Sequence, residues 1–352
     1  MIRIYPSTIK GTLQAPPSRA HAQRLLFASA LTVSSTLIKN IPYCEDINTT
    51  LDALGSFGCR ISTNKSGDVI IDPFAKTVPI PYADLDFKRS GLTSKFALAV
   101  AAAQGIRVDA KADQDLAQRQ LVPLTSRMAI RGITFSSFSF PLSMHGRLLG
   151  GEYKYRGDEG DQFISAMLMA LPMLRDPSTV VLESPLVDSS YIDLTIDTLK
   201  KSKINIERTE DGFYIPGMQQ YESPGTVTAE NDWALASMWV CAGAASEHNG
   251  GKVKVTGLPK DSPQLYRNTT ELRSLISQDF RSLTFDASEF PELATLVCGM
   301  SLAKGGSANI DGVPQLRFAE TNRLKTIADM VRYGRRGRSY GYRHQVQSLR
   351  IS

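Results

Sequence analysis

At 352 residues, with 42% hydrophobic and 21% charged residues, the chain has the composition of a soluble globular protein and is longer than one hydrophobic core usually serves. Its formal charge of +5 does not mark a nucleic-acid binder, because six arginines and no acid follow Asp329, the remainder carries −1, and no aromatic residues interleave with basic ones elsewhere. The start, MIRIYPSTIKG, lacks the apolar core of a secretory signal and no apolar run is long enough to span a bilayer, so a cytoplasmic protein without membrane contact is expected.

Apolar, small-residue helices open at about Arg19, Gly91, Gly160, Asp232 and Pro291, with starts 72, 69, 72 and 59 residues apart. Repetition on that scale identifies an architecture before any single residue is read. In the first copy a helix over Arg19–Leu31 leads to a strand at Thr36–Asn40. An amphipathic helix follows at Asp46–Phe57, with Ile47, Leu51 and Leu54 on one face. Strands Cys59–Thr63 and Asp68–Ile71 close the copy through a turn at Lys65-Ser66-Gly67.

The third copy repeats this order: helix Asp161–Leu174, strand Thr179–Leu182, helix Ser190–Lys201, strand Ile204–Arg208 and strand Phe213–Pro216. A preceding strand makes each unit βαβαββ. Right-handed crossovers then allow three copies to pack around a pseudo-threefold axis with helices bundled inside.

Two copies depart from the pattern. After the second helix of the fourth unit, Thr270–Ile276, too few residues remain for the hairpin. The fifth unit runs through a helix at Thr321–Val331 and then breaks into an aberrant basic tail over 332–352. A permitted reverse translation of that tail, shifted by one base, reads GMGAEVEVMGTDIKFKVYGY: a glycine turn and two alternating strands. The tail is therefore read as an out-of-frame continuation of the fifth unit, with a disordered basic extension as the other reading. A strand edge and an apolar helix face are expected to be left uncovered, favouring self-association.

Cys44, Cys59, Cys241 and Cys298 are scattered and read as buried free thiols. His21, His145, His248 and His344 sit in unrelated contexts and none is read as a ligand, so no metal site is expected.

In this order and spacing, the stretches GTLQAPPSRAHAQRLLFASAL, KYRGDEGDQFISAMLMALPML, SSYIDLTIDTLKKSKI, and FDASEFPELATLV with LRFAETNRLKTIADM resemble the enolpyruvyl transferases. More closely, they are similar to the 5-enolpyruvylshikimate-3-phosphate synthase family, from about Ile4 to Val331. The resemblance implies an α/β protein of the enolpyruvyl transferase fold, an inside-out α/β barrel of two domains with repeated βαβαββ units, here with the last unit missing. It implies a complete three-unit domain at 15–225 and an incomplete C-terminal-type domain from 1–14 plus 226–331. It also implies transfer of the enolpyruvyl group of phosphoenolpyruvate to the 5-hydroxyl of shikimate 3-phosphate, in aromatic amino-acid biosynthesis. No cofactor and no metal are implied, the family is expected to be monomeric, and no GxxxxGK or GxGxxG loop is present.

Residue by residue, the family's Lys-Ser at the first helix is Arg19-Ala20 here, and its following arginine is Arg24. The family's Ser-Gly-x-Thr-x-Arg-Phe reads Ser90-Gly91-Leu92-Thr93-Ser94-Lys95-Phe96. Its Ser-Ser-Gln reads Gly160-Asp161-Gln162, and a further phosphate-site serine is Asp188. Where the family carries an arginine for phosphoenolpyruvate, in the loop before Arg119, the resemblance places Asp115, which reverses the charge. The implied shikimate 3-phosphate set is Arg19, Arg24, Gln162, Tyr191 and Gln315, and the phosphoenolpyruvate set is Arg19, Gly91, Gln162 and Arg323.

The implied catalytic residues are Glu292, which replaces the aspartate that takes the 5-hydroxyl proton, and Glu320, which handles the methylene proton. The acids at 115, 161 and 188 are expected to weaken anion binding. Two other readings remain open at the level of the sequence. One is a non-catalytic, decayed paralogue. The other is a transferase acting on UDP-N-acetylglucosamine, a branch that looks to carry a reactive cysteine in the loop matching Asp113–Gln120, where this chain has none.

Overall fold

The computed structural model describes residues 8–74, 80–186, 189–247, 250–264, 274–279, 282–288, 291, 293–304, 306–313, 316, 323–336 and 349–351. Residues 17–230 form one compact unit, and residues 1–16 with 231–352 form a second. The chain opens with β1 (Lys10–Gln14) in the second unit and enters the first at Pro17.

The first unit contains α1 (Arg19–Ala30), β2 (Thr36–Lys39), α2 (Glu45–Ser56), β3 (Arg60–Thr63) and β4 (Val69–Asp72). It continues through β5 (Tyr82–Asp86), α3 (Gly91–Gln104), β6 (Arg107–Lys111), α4 (Gln114–Ala117), α5 (Val122–Ile130), β7 (Ile133–Phe135) and β8 (Leu142–Gly146). Its last part is β9 (Gly151–Tyr155), α6 (Asp161–Ala170), β10 (Ser178–Leu182), α7 (Ser190–Lys201), β11 (Glu207–Thr209), β12 (Gly212–Ile215) and β13 (Thr226–Thr228).

Three four-stranded sheets result, ordered β13-β2-β4-β3, β5-β6-β8-β7 and β11-β12-β10-β9. Each has one parallel pair (β13 with β2, β5 with β6, β9 with β10) extended by an antiparallel hairpin. This is the βαβαββ unit three times over. In the first copy the leading strand is β13, supplied from the far end of the unit.

Strand β13 hydrogen-bonds β2, so residues 226–230 belong with the first unit, and residues 15 and 16 with the second.

α1, α3 and α6 are buried on nearly every side, α1 with its polar His21, Gln23 and Arg24 included. In α3, 13 of 14 residues are buried, and in α1, 10 of 12. Small residues allow this close approach, and the larger ones interlock: Phe27 of α1 meets Phe96 of α3 edge to face with centroids 5.4 Å apart. α6 ends at Ala170, earlier than Leu174, because Pro172 lies in a 3-10 turn at Leu171–Met173.

In the second unit, β1 pairs in parallel with β14 (Lys252–Thr256), and α8 (Trp233–Ser246) packs on β14. A Cβ on Gly243 would lie 2.8 Å from Cβ of Val253, so glycine is what lets α8 rest on the strand. Then come β15 (Ser282–Asp286), α9 (Leu293–Lys304), β16 (Ser307–Asp311), α10 (Arg323–Arg336) and β17 (Leu349–Ile351). Strands β15, β16 and β17 form a parallel sheet, and Phe285, Leu293, Val297, Ile310 and Ile327 belong to this unit's core.

Two expectations for the tail change. α10 continues through Arg336 rather than stopping at Val331, and Leu349–Ile351 forms a strand on β16. The strand is only three residues long, too short for a period of two to stand out in the sequence. The expected fourth-unit helix at Thr270–Ile276 lies largely outside the described residues. Among the described residues no helix is long and apolar enough to cross a membrane.

Candidate functional site

The N-terminal halves of α1, α3, α6 and α7 meet within the first unit. Gln23 of α1 uses its amide to bond Thr93 of α3 at 2.9 Å, Thr50 of α2 at 3.2 Å and Ser90 at 3.3 Å. Arg24, one residue on, is 1% exposed. Its Nε donates to the Thr195 hydroxyl of α7 at 2.7 Å and its Nη1 to the Ala20 carbonyl at 2.9 Å. Its Nη2 lies 3.5 Å from the Ser165 hydroxyl and 3.9 Å from a carboxylate oxygen of Asp161, both on α6.

The guanidinium carbon lies over the rings of Phe96 and Tyr191, at 5.7 and 5.6 Å from their centroids. Burial lowers its pKa to about 10, against the raising effect of Asp161, so Arg24 remains a cation at neutral pH. His21 lies close by and is neutral: burial, then Lys201 and Arg24, lower its pKa to about 3. Its Nδ1 accepts from the Glu230 N–H at 3.1 Å, and its buried Nε2 has no hydrogen-bond partner.

A second group of cations faces Gly91. Lys95, 8% exposed, donates to Gln162 Oε1 at 2.8 Å and to the Gly91 carbonyl at 3.2 Å, 5.0 Å from the ring centroid of Phe163. A Cβ on Gly91 would lie 3.4 Å from Nη1 of Arg119 and 3.5 Å from Nζ of Lys95. Both cations thus converge on a bare Cα, and Nε of Arg119 is buried with no hydrogen-bond partner.

Two helix starts add to this field. α3 follows Ser90 and α6 follows Gly160 (φ 120°), and neither residue caps its helix with a side-chain hydrogen bond. The leading N–H groups and the helix macrodipole therefore favour an anion at the same end of the bundle.

Of the residues implied by the resemblance, Arg24, Gly91, Gln162 and Tyr191 come together in this cluster, and Arg19 stands at its edge. Arg19 opens α1, is half exposed and pairs with Asp46 of α2, so part of its charge is already matched. Arg323 begins α10 in the other unit. Asp188, Glu292, Gln315 and Glu320 lie outside the described residues.

Asp115 does not reverse the charge of the cluster. It pairs with Arg89 at 2.9 Å in a well-exposed position, while Arg119 supplies the cation at Gly91. Arg119 was missed because motif order alone chooses between nearby charges. The short helix α4 ends at Ala117, and the turn after it returns Arg119 towards α3 while Asp115 faces out.

These contacts gather charged residues into two groups, one centred on Gly91, Lys95 and Arg119, the other on Arg24, Asp161 and Tyr191. A family model described as EPSP synthase (3-phosphoshikimate 1-carboxyvinyltransferase) matches residues 5–334. The chain belongs to this family.

A 3-phosphoshikimate 1-carboxyvinyltransferase of Clostridium perfringens is 30% identical over 339 residues, covering 92% of this chain and 79% of the relative. One from Saccharolobus solfataricus is 28% identical over 345 residues, covering 93% of this chain and 80% of that one. The EPSP synthase structure from Acinetobacter baumannii superposes with a TM-score of 0.71 at 16% identity, over 92% of this chain and 78% of that one. The fold is therefore that of the EPSP synthases, the enolpyruvyl transferase fold that the resemblance implied.

Proposed function

We propose that this EPSP synthase family member transfers the enolpyruvyl group of phosphoenolpyruvate to the 5-hydroxyl of shikimate 3-phosphate, releasing phosphate, in aromatic amino-acid biosynthesis. The observation that carries the reading is the convergence of Lys95 and Arg119 on Gly91, beside Gln162, in a chain matched to the family over residues 5–334. Phosphoenolpyruvate is a small, highly charged anion, and a site with two cations and an uncapped helix start suits it.

In the proposed reaction Glu320 protonates the methylene carbon of phosphoenolpyruvate while Glu292 takes the proton of the 5-hydroxyl, whose oxygen bonds to C2. The tetrahedral adduct then loses a proton from the methyl carbon and expels phosphate by cleavage of its C–O bond. Arg24 and Tyr191 support the acceptor, Arg19 and Gln162 add to the charge matching, and the resemblance assigns Arg323 to phosphoenolpyruvate.

The reaction is assigned to the cytoplasm. The four cysteines are free thiols, and burial pushes those of Cys59, Cys241 and Cys298 up to about 12, which keeps them protonated and inert.

A phosphate-release assay tests the proposal. Release is expected only when phosphoenolpyruvate and shikimate 3-phosphate are both present. Release with UDP-N-acetylglucosamine in place of shikimate 3-phosphate, or none with either acceptor, overturns it.

A further inference from the structure

We infer that Asp161 is a specificity-determining residue: its carboxylate is a resident anion on the acceptor side of the site and weakens the grip on the acceptor's phosphate. This rests on the function proposed above.

The two cationic groups differ in how their charge is met. At Gly91, the acid of the adjoining helix, Asp115, faces outward to Arg89, and Lys95 and Arg119 converge on the open Cα. On the other side, Arg24 is sealed at 1% exposure behind Tyr191 and Phe96. Its Nε and Nη1 are engaged by Thr195 and Ala20. The carboxylate of Asp161 stands 3.9 Å from Nη2, with its side chain 27% exposed.

An incoming ligand therefore meets the carboxylate before the guanidinium, and Arg24's charge is already balanced when the ligand arrives. Asp161 is also the first residue of α6, behind Gly160, so its negative charge sits on the helix end that otherwise favours an anion. A dianionic phosphate approaching here gains little from Arg24 and is repelled by Asp161, whereas a neutral hydroxylated ring is not. One like-charge contact in a partly solvated site corresponds to about tenfold or more in affinity.

Titration of the full chain with shikimate 3-phosphate, shikimate and phosphoenolpyruvate tests the assignment. Asp161→Asn is expected to tighten shikimate 3-phosphate about tenfold or more, with shikimate and phosphoenolpyruvate changed by less than about twofold. Unchanged or weaker binding of shikimate 3-phosphate by a variant that still binds phosphoenolpyruvate overturns the inference and leaves the proposed function standing.

Removing the carboxylate leaves Arg24 without its counter-charge, so the unaltered chain supplies a second measure should the variant fail to fold. Its affinity for shikimate 3-phosphate is expected to exceed that for shikimate by less than about tenfold, and a larger ratio overturns the inference. If neither chain binds either acceptor, the proposed function falls and this assignment with it.

Discussion

α3 and α8 are both small-residue, apolar helices of 14 residues, yet they end in different surroundings. In α3, 13 residues are buried, but in α8 only Ala236, Ser237, Cys241, Gly243 and Ala245 are. Leu235, Met238 and Trp239, at helical spacing, are 43, 52 and 46% exposed. The units around them differ in the same sense: three four-stranded sheets enclose the helices of 17–230, whereas the described strands of the other unit form sheets of two and three. Apolarity determines that a helix seeks cover. How many neighbours its unit provides decides whether cover is found.

The sharpest test pairs a leucine from each unit. Leu98→Ala in α3 is expected to cost about 4–5 kcal/mol and Leu293→Ala in α9 about 2–3 kcal/mol, because the wall around Leu98 cannot collapse into the cavity. Equal losses in denaturant melts would break the comparison.

Within the first unit, Arg119→Ala is expected to weaken phosphoenolpyruvate binding about 30- to 100-fold, roughly 2–3 kcal/mol, with little change in stability since it removes an orphaned buried Nε. Arg19→Ala should cost less affinity, because Asp46 already matches its charge. Calorimetric titration ranks the two variants, and the reverse order would contradict the site as drawn.

The pH dependence of stability should come partly from His21. Its folded pKa of about 3 lies below the unfolded 6.5, so the unfolded chain binds the extra proton between those values. Stability is complete above about pH 6.5 and falls as pH drops towards 3, by up to about 1.4 kcal/mol per pH unit, or about 2 kcal/mol by pH 5. His21→Asn, whose side-chain oxygen can accept from the Glu230 N–H, should flatten that slope in melts at pH 5 and 7.

The smallest effect on stability belongs to the exposed face of α8. Met238→Ser with Trp239→Ser is expected to change stability by no more than about 0.5 kcal/mol while lowering light scattering at high concentration. A loss of several kcal/mol would mean that the face is packed after all.

Much of the fold was legible because local signals agreed with one another. The run Ser190–Lys201 was legible as α7, and the turn residues Lys65-Ser66-Gly67 set the hairpin of β3 and β4. Ends were less legible where one residue acts against a pattern, as Pro172 does at α6. The site was legible where a motif carried its own geometry, as with Gly91 and Gln162. Lys95 stood in the motif only as a changed letter, and its bond to Gln162, 67 positions away, has no local signature.

By itself, the sequence determined the repeat and the helices that seek burial, since periodicity and turn chemistry act over a few residues at a time, and its motif stretches carried the resemblance to the family. Tertiary structure alone decided that β13 closes the first sheet, that Arg119 rather than Asp115 faces Gly91, and that Arg24 is balanced by Asp161. Each of these is a contact between distant positions, and burial decides which charges meet and how strongly they act.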